Sequence, residues 1–171
     1  RRQRQMCIRD RDEISGEFQE WDRKREAFVL AQERLKALSQ TMQEQLEARL
    51  NQRASQIIQE ITNGHYDRLL AEDHLHLVLL SKGKRVPVER VSRGTLEQAY
   101  FALRMAAGEM LLEEEMPVIL DDTFVNYDDE RLERTLQWLV KNRKQVLIFT
   151  CQKREEQALL ERGIAFHKVV V

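Results

Sequence analysis

Residues 1–62 contain one glycine, Gly16, and no proline. A stretch so free of breakers, with apolar residues set into a polar background, reads as helix. Ile14, Phe18, Trp21, Phe28, Leu35, Met42 and Leu46 recur at steps of three, four and seven, the signature of one long helix with a heptad-type seam. Arg25, Gln32 and Ser39 fall on that seam and interrupt it, so an ordinary solvated surface helix remains an alternative. Beyond Leu46 the apolar positions continue as Leu50, Ile57 and Ile61, a spacing suited to a helix lying on a globular domain. The expectation is a stalk running into a head.

After residue 62 the period changes. Asn63-Gly64 supplies a helix-ending turn, and residues 74–80 alternate, with Leu75, Leu77 and Leu79 on one face and His74, His76 and Val78 on the other. A short strand around Val86 follows, with Pro87 marking an edge or an end. Leu96 to Leu112 is helical in pattern, Val118-Ile119-Leu120 reads as a buried strand, Glu130 to Val140 as a helix and Val146 to Phe149 as a second buried strand. Arg154 to Arg162 reads as a helix closed by Gly163, and Ala165 to Val171 as a last strand. Continuous apolar strands alternating with helices predict an α/β fold with a parallel sheet covered on both faces.

The 28 basic and 29 acidic residues leave a formal charge of -1, so any attraction to nucleic acid or to a membrane surface has to be local. Cys7 and Cys151 lie far apart without a metal-type or disulfide pattern, which favours a reducing compartment. With no apolar run near membrane-spanning length, a cytoplasmic protein is expected. The sequence opens on Arg1 inside a segment already reading as helix, as a piece of something longer would.

Three stretches carry chemistry. Val91-Ser92-Arg93-Gly94-Thr95 leads directly into a helix, where a hydroxyl, open backbone N–H groups and the positive end of the helix dipole suit a phosphate. Thr95 with Gln98 three residues on is equally a capping box. Val118 to Asp122 is an apolar strand ending in two adjacent carboxylates. Ligands of open α/β sheets bind at the carboxyl ends of strands, and neighbouring strand residues point to opposite sides, so one acid can hold Mg²⁺ while the other faces a water. Two acids at a strand exit are also ordinary loop solvation. Val146 to Gln152 is a second buried strand delivering polar residues. The order is what joins the three: a Ser-Arg-Gly helix start, about 25 residues to the Asp-Asp strand, then about 30 to the Thr-Cys-Gln strand.

On these residues the chain resembles the ABC-type ATPase heads of SMC-like proteins, among them the bacterial YhaN-like proteins and the double-strand-break repair ATPases. The resemblance covers roughly residues 57–171, with the preceding helix matching the returning arm of the family's coiled coil. It implies the C-terminal half of an ABC-type ATPase head, with residues 63–171 as the lobe and 1–62 as the arm. Ser92, Arg93, Gly94 and Thr95 look like the signature motif that touches the nucleotide of an opposing head. Asp121 and Asp122 resemble the Walker B pair, implying Asp121 on Mg²⁺ and Asp122 orienting the attacking water. Asn126-Tyr127-Asp128 is similar to the D-loop, and Gln152 falls where the family often has a switch histidine. ATP and Mg²⁺ are the implied cofactors. The implied partners are the N-terminal Walker A lobe of the same protein, a second head, DNA, and in some relatives a nuclease subunit.

The chain departs from the family pattern three times. Arg93 replaces the first signature glycine. Asp122 stands where a glutamate is usual, one methylene shorter. Gln152 can hydrogen-bond to a phosphate but cannot carry a proton as histidine does. Slow hydrolysis is the expectation. None of Gly16, Gly64, Gly83, Gly94, Gly108 and Gly163 is followed five residues later by Gly-Lys-Ser or Gly-Lys-Thr, so the phosphate cradle of a Walker A loop is not in this sequence. The chain alone is therefore expected not to hydrolyse ATP. The rival expectation is a coiled-coil dimerisation module that has lost turnover, toward which Arg93 and Gln152 point. His74 and His76 share a strand face without an obvious third ligand for zinc, and Lys82-Gly83-Lys84-Arg85 reads as a solvated hairpin tip.

Overall fold

The computed structural model describes residues 2–72, 76–112 and 114–170, the side chains of 2–17 excepted. Helix α1 spans Arg2–Ile61, 60 residues without interruption. It is followed by strands β1 (Arg68–Glu72), β2 (His76–Ser81) and β3 (Lys84–Pro87), and a single 3₁₀ turn at Val88–Arg90. Helix α2 (Arg93–Leu111), β4 (Val118–Asp121), α3 (Asp129–Asn142), β5 (Val146–Phe149) and α4 (Arg154–Glu161) complete the order.

The chain divides into two compact units, Arg1–Leu46 and Glu47–Val171. In the first, every described side chain from Phe18 onward is exposed, the seam residues Phe18, Trp21, Phe28, Leu35, Met42 and Leu46 included. A stripe of six large apolar side chains facing water along one helix is a surface that calls for a second helix. In the second unit α1 becomes a core element, with Ala54, Ile57, Ile58 and Ile61 buried. This is the change of spacing seen after Leu46 in the sequence. Truncating any of the three isoleucines to alanine removes a fully packed side chain, at a cost of roughly 2–5 kcal/mol.

The same turns of α1 bind a sheet edge. β1, β2 and β3 form an antiparallel sheet in that order, so among the described residues β1 has one side without a strand partner. Asn51 donates Nδ2 to Ala71 O at 3.1 Å and accepts from Ala71 N at 2.7 Å through Oδ1. Ser55, one turn on, donates to Leu69 O at 3.1 Å and accepts from Leu69 N at 3.0 Å. Two helical side chains thus satisfy the outward N–H and C=O groups that an edge strand otherwise leaves open. Asn63 and Gly64 end the helix in the left-handed region, at φ 50° and 73°, where Gly64 N reaches back to Gln59 O at 2.8 Å.

β4 and β5 pair in parallel, Val118 opposite Val146 through Asp121 opposite Phe149. Leu120, buried, and half-buried Val118, Val146 and Ile148 face the core shared with α2 and α3, where the Phe101 and Trp138 rings meet edge to face at 5.7 Å. The opposite face carries Ile119, Leu147 and Phe149, all exposed. The expectation of an α/β fold with a parallel sheet is borne out in the β4–β5 pair. Beside it β1–β3 form a separate antiparallel sheet, and among the described residues one face of the parallel pair is exposed. The last strand expected at Ala165 to Val171 is corrected. Residues 164–170 form no ladder, because an apolar β-prone run becomes a strand only beside a partner, and these residues are exposed apart from half-buried Ile164. Val171, and His74 and Leu75 of the alternating stretch, lie outside the described residues.

Candidate functional site

Ser92 is the N-cap of α2: its hydroxyl accepts from Thr95 N at 3.3 Å and lies 3.0 Å from Thr95 Oγ1. The capping alternative raised by Thr95 is thus realised three residues earlier, with Ser92 as the cap. Arg93 projects outward, its Nε 3.7 Å from Glu97 Oε1. Gly94 and Thr95 are buried. A Cβ on Gly94 would stand 2.6 Å from Asn126 O, so glycine here permits the helix start to press directly on the backbone of the loop after β4.

That loop, residues 122–128, leaves the parallel strand pair and is fixed by side chains from three elements. Asn126 donates Nδ2 to Glu97 Oε1 at 2.5 Å. Arg154, at the start of α4, donates to Tyr127 O at 2.6 Å and also to Phe124 O. Asp128 caps α3, accepting from Arg131 N at 2.9 Å, and pairs with the Arg131 guanidinium. Arg131 continues to Gln98 Oε1 at 3.2 Å and Thr95 Oγ1 at 3.4 Å. The Tyr127 ring is buried against Phe124, 5.4 Å between centroids. Burial, reinforced by the Glu97 charge and only partly opposed by Arg131, pushes its hydroxyl well above the usual phenol range, so it stays protonated.

Asp121 and Asp122 stand at the carboxyl end of β4, both exposed. Asp122 N donates to Phe149 O at 3.0 Å, one step beyond the strand pair, and its backbone turns left-handed at φ 44°, a conformation aspartate tolerates better than most residues. Its Oδ1 is 3.9 Å from Cys151 Sγ. Gln152 follows, half-buried, its backbone N–H bonded to Thr150 Oγ1 at 3.0 Å. Among the described residues no cation pairs with either carboxylate, and no group of three or more His, Cys, Asp or Glu is arranged to hold a metal by itself. An open acid pair of this kind suits Mg²⁺, which is commonly bound by one or two carboxylates together with substrate phosphates rather than by an all-protein cage.

The proposed site residues thus fall into two groups. Ser92, Arg93, Gly94, Thr95 and Asp128 gather where α2, α3 and the loop meet. Asp121, Asp122 and Gln152 gather at the strand ends. Sequence reasoning missed Arg131, which joins Thr95 to Asp128, and Arg154, which holds the loop at Phe124 and Tyr127. Their only sequence signal is a position near a helix start, shared by many surface arginines. A cleft of about 390 Å³ lies behind the first group, lined by Ile61 to Tyr66 with Gln98, Asp128, Glu130, Arg131 and Arg134.

The fold is shared with solved structures of SMC proteins. A structure solved in work on ATP-driven dimerisation and DNA-stimulated activation of SMC ATPases matches with a TM-score of 0.58 and 16% identity, over 69% of this chain and 76% of that one. The Smc head domain with coiled coil and joint from Pyrococcus yayanosii matches with a TM-score of 0.69 and 11% identity, over 85% of this chain and 30% of that one. Among curated proteins, the chain is similar to the uncharacterized protein YhaN of Bacillus subtilis (strain 168), 34% identical in a match over 116 residues that covers 64% of this chain. The chain spans 12% of the length of that relative. No family model matches the chain. Among the described residues no helix is long and apolar enough to cross a membrane.

Proposed function

We propose that this chain supplies the signature motif and Walker B acids of an SMC-like ATPase head, completing a nucleotide site whose Walker A loop belongs to another lobe. One observation carries the reading. The Ser92–Thr95 helix start packs backbone to backbone, through Gly94, on the same loop that leaves the Asp121-Asp122 strand end. In this reading Asp121 holds Mg²⁺ and Asp122 orients the water that attacks the terminal phosphate of ATP. Ser92, Gly94, Thr95 and Asp128, with Arg93 adding a cation, address the nucleotide of a second head. Gln152 holds a phosphate or the water by hydrogen bonding without transferring a proton. A shorter acid and a non-ionisable switch residue make the turnover slow.

The bare face of Ile119, Leu147 and Phe149 supports the Walker A lobe as a partner, since three exposed apolar side chains on a parallel strand pair need a covering layer. The seam of α1 supports a second helix, making residues 1–62 the returning arm of a coiled coil and 63–171 the catalytic lobe. The solved SMC ATPases that share this fold dimerise under ATP and respond to DNA. The reading extends both properties to this protein, as one of DNA repair or chromosome maintenance in the cytoplasm. A nuclease subunit rests only on the resemblance to double-strand-break repair ATPases. Arg93 and Gln152 favour a second reading, a dimerisation module without turnover.

The test joins this chain to its Walker A lobe and measures ATP turnover and nucleotide-dependent association. Ser92→Arg is expected to cost about 0.5–2 kcal/mol of stability through loss of the α2 cap and to abolish ATP-driven dimerisation, because bulk then occupies the place of the γ-phosphate. Unchanged dimerisation overturns the reading, whereas association without measurable turnover selects the dimerisation module. The chain alone is expected to bind MgATP weakly, and calorimetry giving a Kd at or below about 1 μM, near -8 kcal/mol, would contradict the split site.

A further inference from the structure

Arg131 occupies a position that the proposed nucleotide contacts do not use, yet every acceptor it reaches belongs to the signature helix or to the loop beside it. Nε donates to Gln98 Oε1 at 3.2 Å, Nη2 to Thr95 Oγ1 at 3.4 Å, and Nη1 to the Asp128 carboxylate. Its backbone N–H donates to Asp128 Oδ1 at 2.9 Å. Two of these acceptors are rigidly held: Gln98 is 1% and Thr95 3% exposed, and the Gln98 amide is oriented by its other end, Nε2 donating to Ile61 O at 3.4 Å. A guanidinium is a flat fork of fixed donors, so three acceptors on two elements fix the geometry between those elements in a way one ammonium does not.

We propose that Arg131 is a positioning residue that locks the start of α2 to the loop ending at Asp128, and orients the Ser92 hydroxyl for a phosphate. Either hydroxyl of the Ser92–Thr95 pair can donate, and the Arg131 charge selects the direction. Arginine only donates, so Thr95 Oγ1 accepts from it, and the nearby positive charge turns the Thr95 hydroxyl proton away, toward Ser92 Oγ 3.0 Å distant. Ser92 Oγ already accepts from Thr95 N. With two incoming protons on its oxygen, Ser92 directs its own proton outward, where a phosphate oxygen accepts it. Gly94 against Asn126 O and Asn126 against Glu97 complete the same contact, so Ser92 and Asp128 move as one body. This inference rests on the trans-acting reading given above.

The experiment uses the head reassembled from this chain and its Walker A lobe, and reads three quantities: thermal unfolding, ATP affinity of the unpaired head, and ATP-driven dimerisation. Arg131→Ala is expected to weaken dimerisation about tenfold, with ATP affinity of the unpaired head unchanged because that affinity belongs to the Walker A lobe. Arg131→Lys keeps the charge beside Asp128 but not the fork, and is expected to recover only part of the loss. Should Arg131→Ala fail to fold, Arg131→Lys carries the test, and full dimerisation by the lysine variant overturns the proposal. Wild-type dimerisation by Arg131→Ala, with Ser92→Arg still abolishing it, overturns the positioning role and leaves the trans-acting reading standing. Wild-type dimerisation by Ser92→Arg removes that reading and this proposal together.

Discussion

The corner where α2 meets the loop after β4 and the edge where β4 and β5 end differ in who sets their geometry. At the corner, Glu97 of α2, Arg131 of α3 and Arg154 of α4 tie their helices to the loop within this chain, Asn126 answering Glu97, and a glycine is needed to let the backbones touch. At the edge, Asp121 and Asp122 are exposed, and the apolar face beneath them is bare. The corner is finished before any partner arrives. The edge receives its surroundings from a ligand and a neighbouring lobe. Substitutions at the edge should therefore act on chemistry with little effect on folding, and substitutions at the corner on both.

The largest effect belongs to the edge. Asp122→Asn keeps the shape of the side chain and removes its negative charge, so in the reassembled head turnover should fall by about 10²- to 10⁴-fold, or roughly 3–5 kcal/mol of barrier. Thermal unfolding should not move, and the ATP-engaged dimer should accumulate. Wild-type turnover would move the water-orienting role away from Asp122. Next comes the corner itself. Gly94→Ala forces a Cβ to within 2.6 Å of Asn126 O, a backbone atom that cannot swing aside, and urea unfolding should show a loss of about 1–3 kcal/mol. Gly108 on the same helix is the control, since a Cβ there meets nothing within 4 Å. Gly108→Ala should stabilise by about 0.5–1 kcal/mol through helix propensity alone. Equal effects at the two glycines would erase the distinction between corner and open helix.

The smallest expected effect is a pH dependence at the far end of α2. Burial alone would raise the Glu109 carboxyl, but hydrogen bonds from Arg53 and Arg143 outweigh it and hold the group below the ordinary carboxylate range. A lowered folded-state pKa contributes stability that is present above the unfolded pKa and lost as pH falls through the folded one. Stability should therefore decline on acidification below the normal glutamate range, and Glu109→Gln should flatten that part of the profile. A variant profile parallel to the wild type would show that other carboxylates set the slope.

The strands that fill the parallel pair, β4 and β5, are legible in the sequence because each is a continuous apolar run bounded by polar residues. The run from Ala165 to Val171 sends the same signal, yet its described residues, 165–170, form no ladder, since periodicity reports what a segment prefers and not whether a neighbour is there. β1 shows the reverse. Arg68-Leu-Leu-Ala-Glu is built from good helix formers, and it is a strand because β2 bonds to one side and Asn51 and Ser55 of α1 to the other. The proposed site divides in the same way. The order of Ser-Arg-Gly, Asp-Asp and Thr-Cys-Gln is readable because each motif sits at the end of a regular element. Arg131 is not, for its partners Thr95 and Gln98 lie 36 and 33 residues away.

The grip of Asn51 and Ser55 on β1 has a practical consequence for anyone who trims this protein. The change of composition near residue 63 invites a cut there, yet such a cut would strip β1 of the two side chains that occupy its outward N–H and C=O groups. A row of unpaired amides on a strand as apolar as Leu69-Leu70-Ala71 is a template for another chain. The last turns of the arm are in this sense a built-in chaperone for the sheet, and a soluble lobe has to keep α1 from about Glu47 onward, where the second compact unit begins.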